Sequence, residues 1–483
     1  MSRFFLFWCL LWASNLLLAQ RQYSLIDIIE QAKSQSPASR QAETRKENGY
    51  WLYRLYRSNY NPQLSLFGGL PNYNRDFFGN RQDTGEIIYQ SREQTNSNLG
   101  LGLTQPLSFS GGNISVNSFI NQFNDISSGF EQWNSTLINV QLQQPLFAFN
   151  DLKWDKQTEP LRYEESKREY VEELEFISQE AVDRFFNFLD AQVNLEISSF
   201  NLANNDTIYN IEQGRYNIGT TSKDKLLQVE LQLLRSQQDV AQASLDLETS
   251  KLALITYLGL NPEEAIELQL PETLPAFIPD ESAALVYAKA NRADYIAFER
   301  RRMEAKREVA RAKADRFSAN LSAAYGLNAT GGTFGDSYSD PNNQQRINVT
   351  LSMPLIDWGR NKASRRTAIA NQQLTEFVIA QEEQNFEQEV ITQVKQFEVL
   401  RNQISISKKS DEVARERYLV AQNRYLIGKI DITNLNIALN EKDAARRSYI
   451  NALRGFWASY FELRRLTLYD FVNRELLYTP EEN

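Results

Sequence analysis

Most enzyme chemistry at neutral pH runs through a few side-chain types, and this 483-residue chain is short of them. It has no histidine, the commonest general base and metal ligand. Its single cysteine, Cys9, lies in an apolar run near the N-terminus. Ser-His-Asp and Cys-His arrangements are thereby excluded. No phosphate-cradling Gly-Lys loop and no GxGxxG sequence occurs; Gly100-Leu101-Gly102 lies inside a strand-like run with no helix after it. Carboxylate pairs exist, as in Glu172-Glu173 and Glu382-Glu383, but they fall on helix faces and read as solvated surface. Met303 and Met353 stand apart from any other soft ligand. The chain therefore reads as no enzyme, with no catalytic residue, cofactor site or metal site to assign.

The residues whose type and spacing do carry information are Arg215-Tyr216-Asn217-Ile218-Gly219 and, 209 residues later, Arg424-Tyr425-Leu426-Ile427-Gly428. Each pattern suits a sharp helix-to-helix turn with a left-handed glycine at its end. Pro145-Leu146 recurs as Pro354-Leu355 at the same offset. Upstream, Ala32-Lys33 recurs as Ala288-Lys289 at offset 256, and Leu64-Ser65 as Leu321-Ser322 at 257. The chain is thus a duplicated unit whose first half carries 48 extra residues before its Pro-Leu landmark.

The elements that position those turns are long helices and alternating strands. A helical region opens each half, over Ser24–Ser58 with an interruption at Pro37, and over Ala283–Ala314. Asp224–Leu258 carries one apolar stripe at helical spacing and predicts a helix roughly 50 Å long. Tyr163–Asn210 and Ala363–Gln422 are longer still and read as coiled-coil-like layers or tubes. Leu99, Leu101 and Leu103, Ile138, Val140 and Leu142, and Ile347, Val349 and Leu351 alternate with small or polar residues. That pattern suits strands with lipid on one face and water on the other. Phe109, Phe119, Phe123, Phe130, Trp133, Phe147 and Trp358 are expected at strand ends, as an interfacial girdle. Asn328–Asn343 reads as a polar outer loop.

The expected organisation is a signal peptide over 1–19, a first repeat over 20–260, a connector over 261–281, a second repeat over 282–470 and a tail over 471–483. The leader has Arg3, the apolar run Phe4–Trp12 and a cleavage point after Ala19. Its removal moves the net charge one unit further negative from −9, which argues against nucleic acid as a partner. No later stretch has the ~18 consecutive apolar residues of a membrane helix, so any membrane segment must be made of strands.

In its duplicated order of helix, strands, helix, Tyr-x-x-Gly turn and helix, the mature chain resembles the TolC-type outer-membrane efflux proteins. The resemblance implies a mixed α and transmembrane β fold, with duplicated long-helix hairpins forming a periplasmic α-barrel below a trimeric outer-membrane β-barrel. It implies a passive exit duct of a tripartite efflux or type I secretion system, a homotrimer in outer-membrane lipid. A periplasmic adaptor and an inner-membrane pump would be its partners. It also implies that the turns at Arg215, Gly219, Arg424 and Gly428 are adaptor-docking tips. Tyr425 corresponds to a tyrosine that helps hold the tunnel end shut, with Asp224 as the expected partner. Family members often carry an arginine two residues after the second glycine and acids six and nine after it. Here those positions are Ile430, Asn434 and Ile437, with Asp431 nearby as a weaker acidic ring. A gate held by packing and amide hydrogen bonds is therefore expected.

Six strand-like runs stand where the family norm is four per protomer, the excess falling in residues 98–145. Either the barrel is wider, or the extra hairpin is a surface extension. The less regular alternation of Asn113–Asn124 tips the expectation toward the extension. The rival reading is a periplasmic coiled-coil scaffold or an adhesin on a helical stalk. Alternating strands with aromatic ends oppose the first, and two matched glycine tips oppose the second.

Overall fold

The computed structural model describes residues 21–261 and 266–479. The expected signal peptide and Cys9 lie outside the described residues. The helices come in two series of equal lengths. The first is α1 (Leu25–Gln35, 11 residues), α2 (Pro37–Ser58, 22), α3 (Asp151–Asn217, 67) and α4 (Lys223–Leu258, 36). The second is α5 (Glu281–Asn291, 11), α6 (Ala293–Ala314, 22), α7 (Arg360–Leu426, 67) and α8 (Ile432–Thr467, 36). Their starts repeat at the offsets 256 and 209 seen in the residue pairs.

Local chemistry sets the helix starts. Ser24 and Asp27 form a capping box for α1, and Asp280 accepts from the Ala283 N–H at 2.8 Å to start α5. The α1–α2 break falls at Ser36, because Pro37 forces its predecessor out of the helical region. The stretch Ala283–Ala314, expected as one helix, breaks in the same way at Arg292, although no proline follows it. The second break is made by tertiary contacts instead. Glu172, on α3, accepts from the Ala293 N–H at 2.8 Å and pairs with the Arg292 guanidinium at 3.2 Å. Asn291 donates to the Thr467 carbonyl at 3.1 Å. Glu172 is therefore a largely buried helix cap rather than solvated surface, and burial, only partly offset by Arg292, pushes its carboxyl up to about 7.

The chain divides into two units. One holds residues 1–47, 166–295 and 382–483. Its core gathers Phe185, Phe186, Leu254, Ile255, Phe397 and Phe456, all at most 1 % exposed. Beside it, Glu175 bonds Lys33 at 2.6 Å and Arg464 at 2.8 Å, and Arg464 reaches Asp470 at 2.6 Å. The connector is not simply a linker: β7 (Ile266–Leu268) pairs in parallel with β1 (Arg21–Tyr23). The start of the tail folds back as β10 (Tyr469–Asp470) against β11 (Glu475–Leu476), with Phe471 stacked on Phe277.

The other unit holds residues 48–165 and 296–381 and contains the sheet. Its strands are β2 (Gln63–Gly69), β3 (Tyr73–Arg81), β4 (Ile87–Leu107), β5 (Gly112–Asp125), β6 (Phe130–Leu146), β8 (Ser318–Gly331) and β9 (Asn342–Ser352). The order is β2-β4-β5-β6-β8-β9, every neighbour antiparallel, with β3 alongside the first half of β4. The register aligns Leu64, Leu103, Val116, Val140 and Tyr325 in one row across the sheet. Ser65, Gly102, Asn117, Asn139 and Gly326 align in the next, on the opposite face.

The structure corrects the surface-extension expectation. Residues 98–145 form the middle of the sheet. The hairpin that does stand beyond it is β3 with the start of β4, because β5 pairs with β4 only from Gln94 onward. Phe119, expected at a strand end, lies mid-strand over Gly100. Among the described residues no helix is long and apolar enough to cross a membrane.

Candidate functional site: the paired helix-hairpin tips

The two repeated motifs end α3 and α7. Gly219 has φ +78° and Gly428 φ +72°, the left-handed region open to glycine. The Thr220 N–H donates to the Arg215 carbonyl and the Lys429 N–H to the Arg424 carbonyl, both at 2.9 Å. Each is the six-to-one bond of a Schellman turn, which satisfies a carbonyl the helix end would leave open. The next helices start on caps at equivalent positions. Ser222 accepts from the Lys225 N–H at 3.4 Å, and Asp431 from the Asn434 N–H at 2.9 Å.

The tips are built alike but tied asymmetrically. The Tyr425 hydroxyl, on the second hairpin, donates to Glu212 Oε1 on the first at 2.7 Å. Arg215 donates to the same oxygen at 2.7 Å and to the Leu426 carbonyl at 3.4 Å, and lies 5.6 Å from the centre of the Tyr425 ring. Burial alone would raise the Glu212 carboxyl, but bonds from Tyr425, Arg215 and Thr221 outweigh it and hold it below the usual range. Burial and that same carboxylate raise the Tyr425 hydroxyl, so it remains a proton donor. Ile208, Val229, Tyr418, Ile432, Leu435 and Leu439 pack beneath this contact.

Further from the tips the hairpins are joined by amides. Asn201 donates to Asp443 at 2.7 Å and Gln422 to Asn204 at 3.3 Å. Lys442 lies over the Phe200 and Tyr418 rings at 4.5 and 4.7 Å. Near the tips the contacts are thus packing and amides around the Glu212–Arg215–Tyr425 group, and ion pairs such as Arg454–Asp183 at 3.0 Å follow further along.

A sequence profile of the outer membrane efflux protein family matches residues 121–260 and 284–467, well over half of the chain. The chain belongs to that family. No curated protein sequence matches it. Solved channels share the fold at low identity. The CmeC outer membrane channel of Campylobacter jejuni aligns with a TM-score of 0.66 at 15 % identity, covering 92 % of this chain and 85 % of that one. VceC from Vibrio cholerae gives 0.63 at 16 %, covering 92 % and 95 %. The open-state MtrE channel of Neisseria gonorrhoeae gives 0.60 at 18 %, covering 92 % and 88 %.

This outer membrane efflux protein is accordingly a chain of an outer-membrane channel family. Its fold brings Arg215 and Tyr425 together and leaves Asp224 apart from them. Asp224 is exposed in the first turn of α4, and the partner of Tyr425 within the protomer is Glu212. Asp431 and Asn434, both exposed, bond to each other at the start of α8, and Asp431 acts there as the helix cap. Arg424 is exposed and makes no ion pair among the described residues, unlike its counterpart Arg215. Ile430 packs against the apolar cluster. Glu212 was not singled out by the sequence. It lies one helical turn before Arg215, but its partner Tyr425 is 213 residues away.

Proposed function

We propose that this efflux protein is the protomer of a homotrimeric, passive exit duct. It works with a periplasmic adaptor that docks at the two tips and an inner-membrane pump that supplies the energy. The observation that carries the reading is the pair of equivalent Schellman turns, built 209 residues apart with the same bonds and helix lengths. A structural stalk has no use for two matched tips, whereas a docking partner has. The sheet supports the assembly. β2 and β9 are its two edges, and unpaired backbone in hydrocarbon costs several kcal/mol per group, so the edges must close on other copies. A closed ring of identical protomers does this most simply.

On this reading Arg215, Gly219, Arg424 and Gly428 form the docking tips. Tyr425, anchored on Glu212, holds the second hairpin against the first at the periplasmic gate. Asp224, Asp431 and Asn434 are exposed polar groups of the neighbouring turns that an adjacent copy would meet. The reading assigns the chain no catalysis and no cofactor. Cryo-electron microscopy of the detergent-extracted protein tests it. A threefold particle with a membrane ring and a hollow stem is expected, and a monomer or a solid rod overturns the reading.

A further inference from the structure

Six strands exceed four per copy by one hairpin, and β5, in the middle of the added stretch, is paired along both edges. Its register with β4 runs from Leu107↔Gly112 to Gln94↔Asp125, and with β6 from Asn113↔Gln143 to Asp125↔Phe130. A hairpin standing outside a barrel would leave one of these edges open. The side chains of β5 also continue both faces of the sheet. Ile114 lies beside Leu142, Val116 between Leu103 and Val140, and Ile120 beside Leu99. On the other face Ser115 lies between Thr104 and Gln141, and Asn117 between Gly102 and Asn139.

The register with β6 shifts between Asn117 and Phe119, where two steps on β5 face three on β6, so the extra residue belongs to β6 and β5 keeps an unbroken register with β4. Phe119 then lies against Gly100, where an added Cβ would come within 2.5 Å of the Phe119 Cβ. The ring of Phe67, across Gly100 from Phe119, fills the space that glycine leaves on the same face.

Along the path β2-β4-β5-β6-β8-β9 each strand is antiparallel to the last, so the edge strands β2 and β9 run in opposite directions. A β9-to-β2 joint between copies is then antiparallel, like every pair within the copy. We infer that all six strands enter the membrane, so that three copies close an eighteen-stranded barrel whose wide, amide-lined lumen admits bulky hydrated polar cargo. This rests on the trimeric duct proposed above. Barrel diameter grows roughly linearly with strand number, so this ring is about one and a half times as wide as one built from four strands per copy. Barrels of about this strand number leave an aqueous channel. The wall carries amides and hydroxyls such as Asn117, Asn139, Gln141, Asn348 and Thr350, with Arg346 adding charge and the Phe67 and Phe119 rings on the same face. Such a wall selects by size more than by sign.

The test uses the full chain without Cys9, its one native thiol, carrying single cysteines and reconstituted in lipid vesicles. The probe is a charged, water-soluble maleimide. Asn117→Cys should label at least about tenfold faster than Val116→Cys, the contrast expected between lumen and lipid faces. Thr350→Cys and Val349→Cys on β9 serve as the reference pair and should show the same contrast. Equal labelling of the two β5 thiols, with the β9 contrast intact, overturns the wide barrel and leaves the duct standing. Loss of contrast at both pairs removes the membrane barrel itself. A strand count in the microscopy map gives an answer that needs no substitution: eighteen strands support the inference, and twelve, with β5 and one of its neighbours outside the ring, overturn it.

Discussion

The Tyr425 hydroxyl donates a 2.7 Å hydrogen bond to Glu212, tying the tip of the second helical hairpin to the first across 213 residues of sequence. The acceptor side chain is 6 % exposed and also holds Arg215. A carboxylate so placed is costly to leave short of donors. The contact therefore joins the two halves of the duplicated unit where the proposed gate lies.

Tyr425→Phe removes one donor and should weaken the contact by about 1–2 kcal/mol. In planar bilayers the variant is expected to open more often or more widely than the parent. Asp224→Ala should change conductance less than Tyr425→Phe, since Asp224 is not the partner within the protomer. The reverse result would return the gate to Asp224 and a neighbouring copy.

Acid should act through Glu212. Its folded-state pKa is depressed, so its contribution is complete above its ordinary value of 4.5 and is lost as pH falls through the lower folded value. Conductance is expected to stay constant from pH 7 down to the ordinary carboxylate range and to change only below it. Glu212→Gln should abolish that acid response, and a response persisting in this variant would assign it to another group.

Glu172 predicts the opposite slope. Its carboxyl, raised from 4.5 to about 7, takes up a proton on folding between those values, so its contribution is largest at the acid end and falls as pH rises through 7. Thermal melting of the wild type should drop between pH 5 and pH 8 relative to Glu172→Gln, by at most about 3 kcal/mol in stability. Parallel melting curves across that range would exclude a shifted Glu172.

The helix break at Arg292 allows a paired comparison. Arg292→Ala leaves Glu172 buried without its cation and should cost about 3–5 kcal/mol. Ala293→Pro copies Pro37 of the first half, at a position whose predecessor is already extended (φ −63°, ψ 143°), and loses only the bond from the Ala293 N–H to Glu172. Melting temperature should therefore fall much further for Arg292→Ala, and equal losses would contradict the assigned role of the guanidinium.

At the tips, an added Cβ on Gly219 or Gly428 meets nothing within 4 Å, so only backbone strain opposes substitution. Asparagine tolerates the left-handed region, while valine should cost about 1–2 kcal/mol. Gly219→Asn and Gly428→Asn should melt like the parent yet lose export in complementation assays if an adaptor seats against these turns. Full export by both would leave the glycines as turn formers alone.

The duplication was legible because it is written in local signals: matched turns, Pro-Leu strand ends and helical stripes. Gly219 and Gly428 could be read because left-handed backbone is a property of single residues. The break at Pro37 could be read for the same reason, whereas the break at Arg292 could not, since it depends on Glu172 arriving from another helix. Glu172 itself looked like surface because its burial is made by distant elements. Glu212 carried no distinguishing signal, and only packing of the two hairpins brings it to Tyr425.

The strands divide in the same way. Period-two alternation revealed which residues share a face in β4, β6 and β9, because side-chain direction is set within the strand. The place of β5 was decided by pairing with both neighbours, and Phe119 and Phe123 on its polar face and Ser118 on its apolar face blurred the pattern that would have announced it. The sequence by itself determined the helices, the turns and the two-faced strands, since each follows from backbone preference and nearby residues. The tertiary structure alone decided which strand lies beside which, where buried charges find partners and how the two tips are tied. Those outcomes depend on contacts between residues far apart in the chain, and local sequence does not encode them one element at a time.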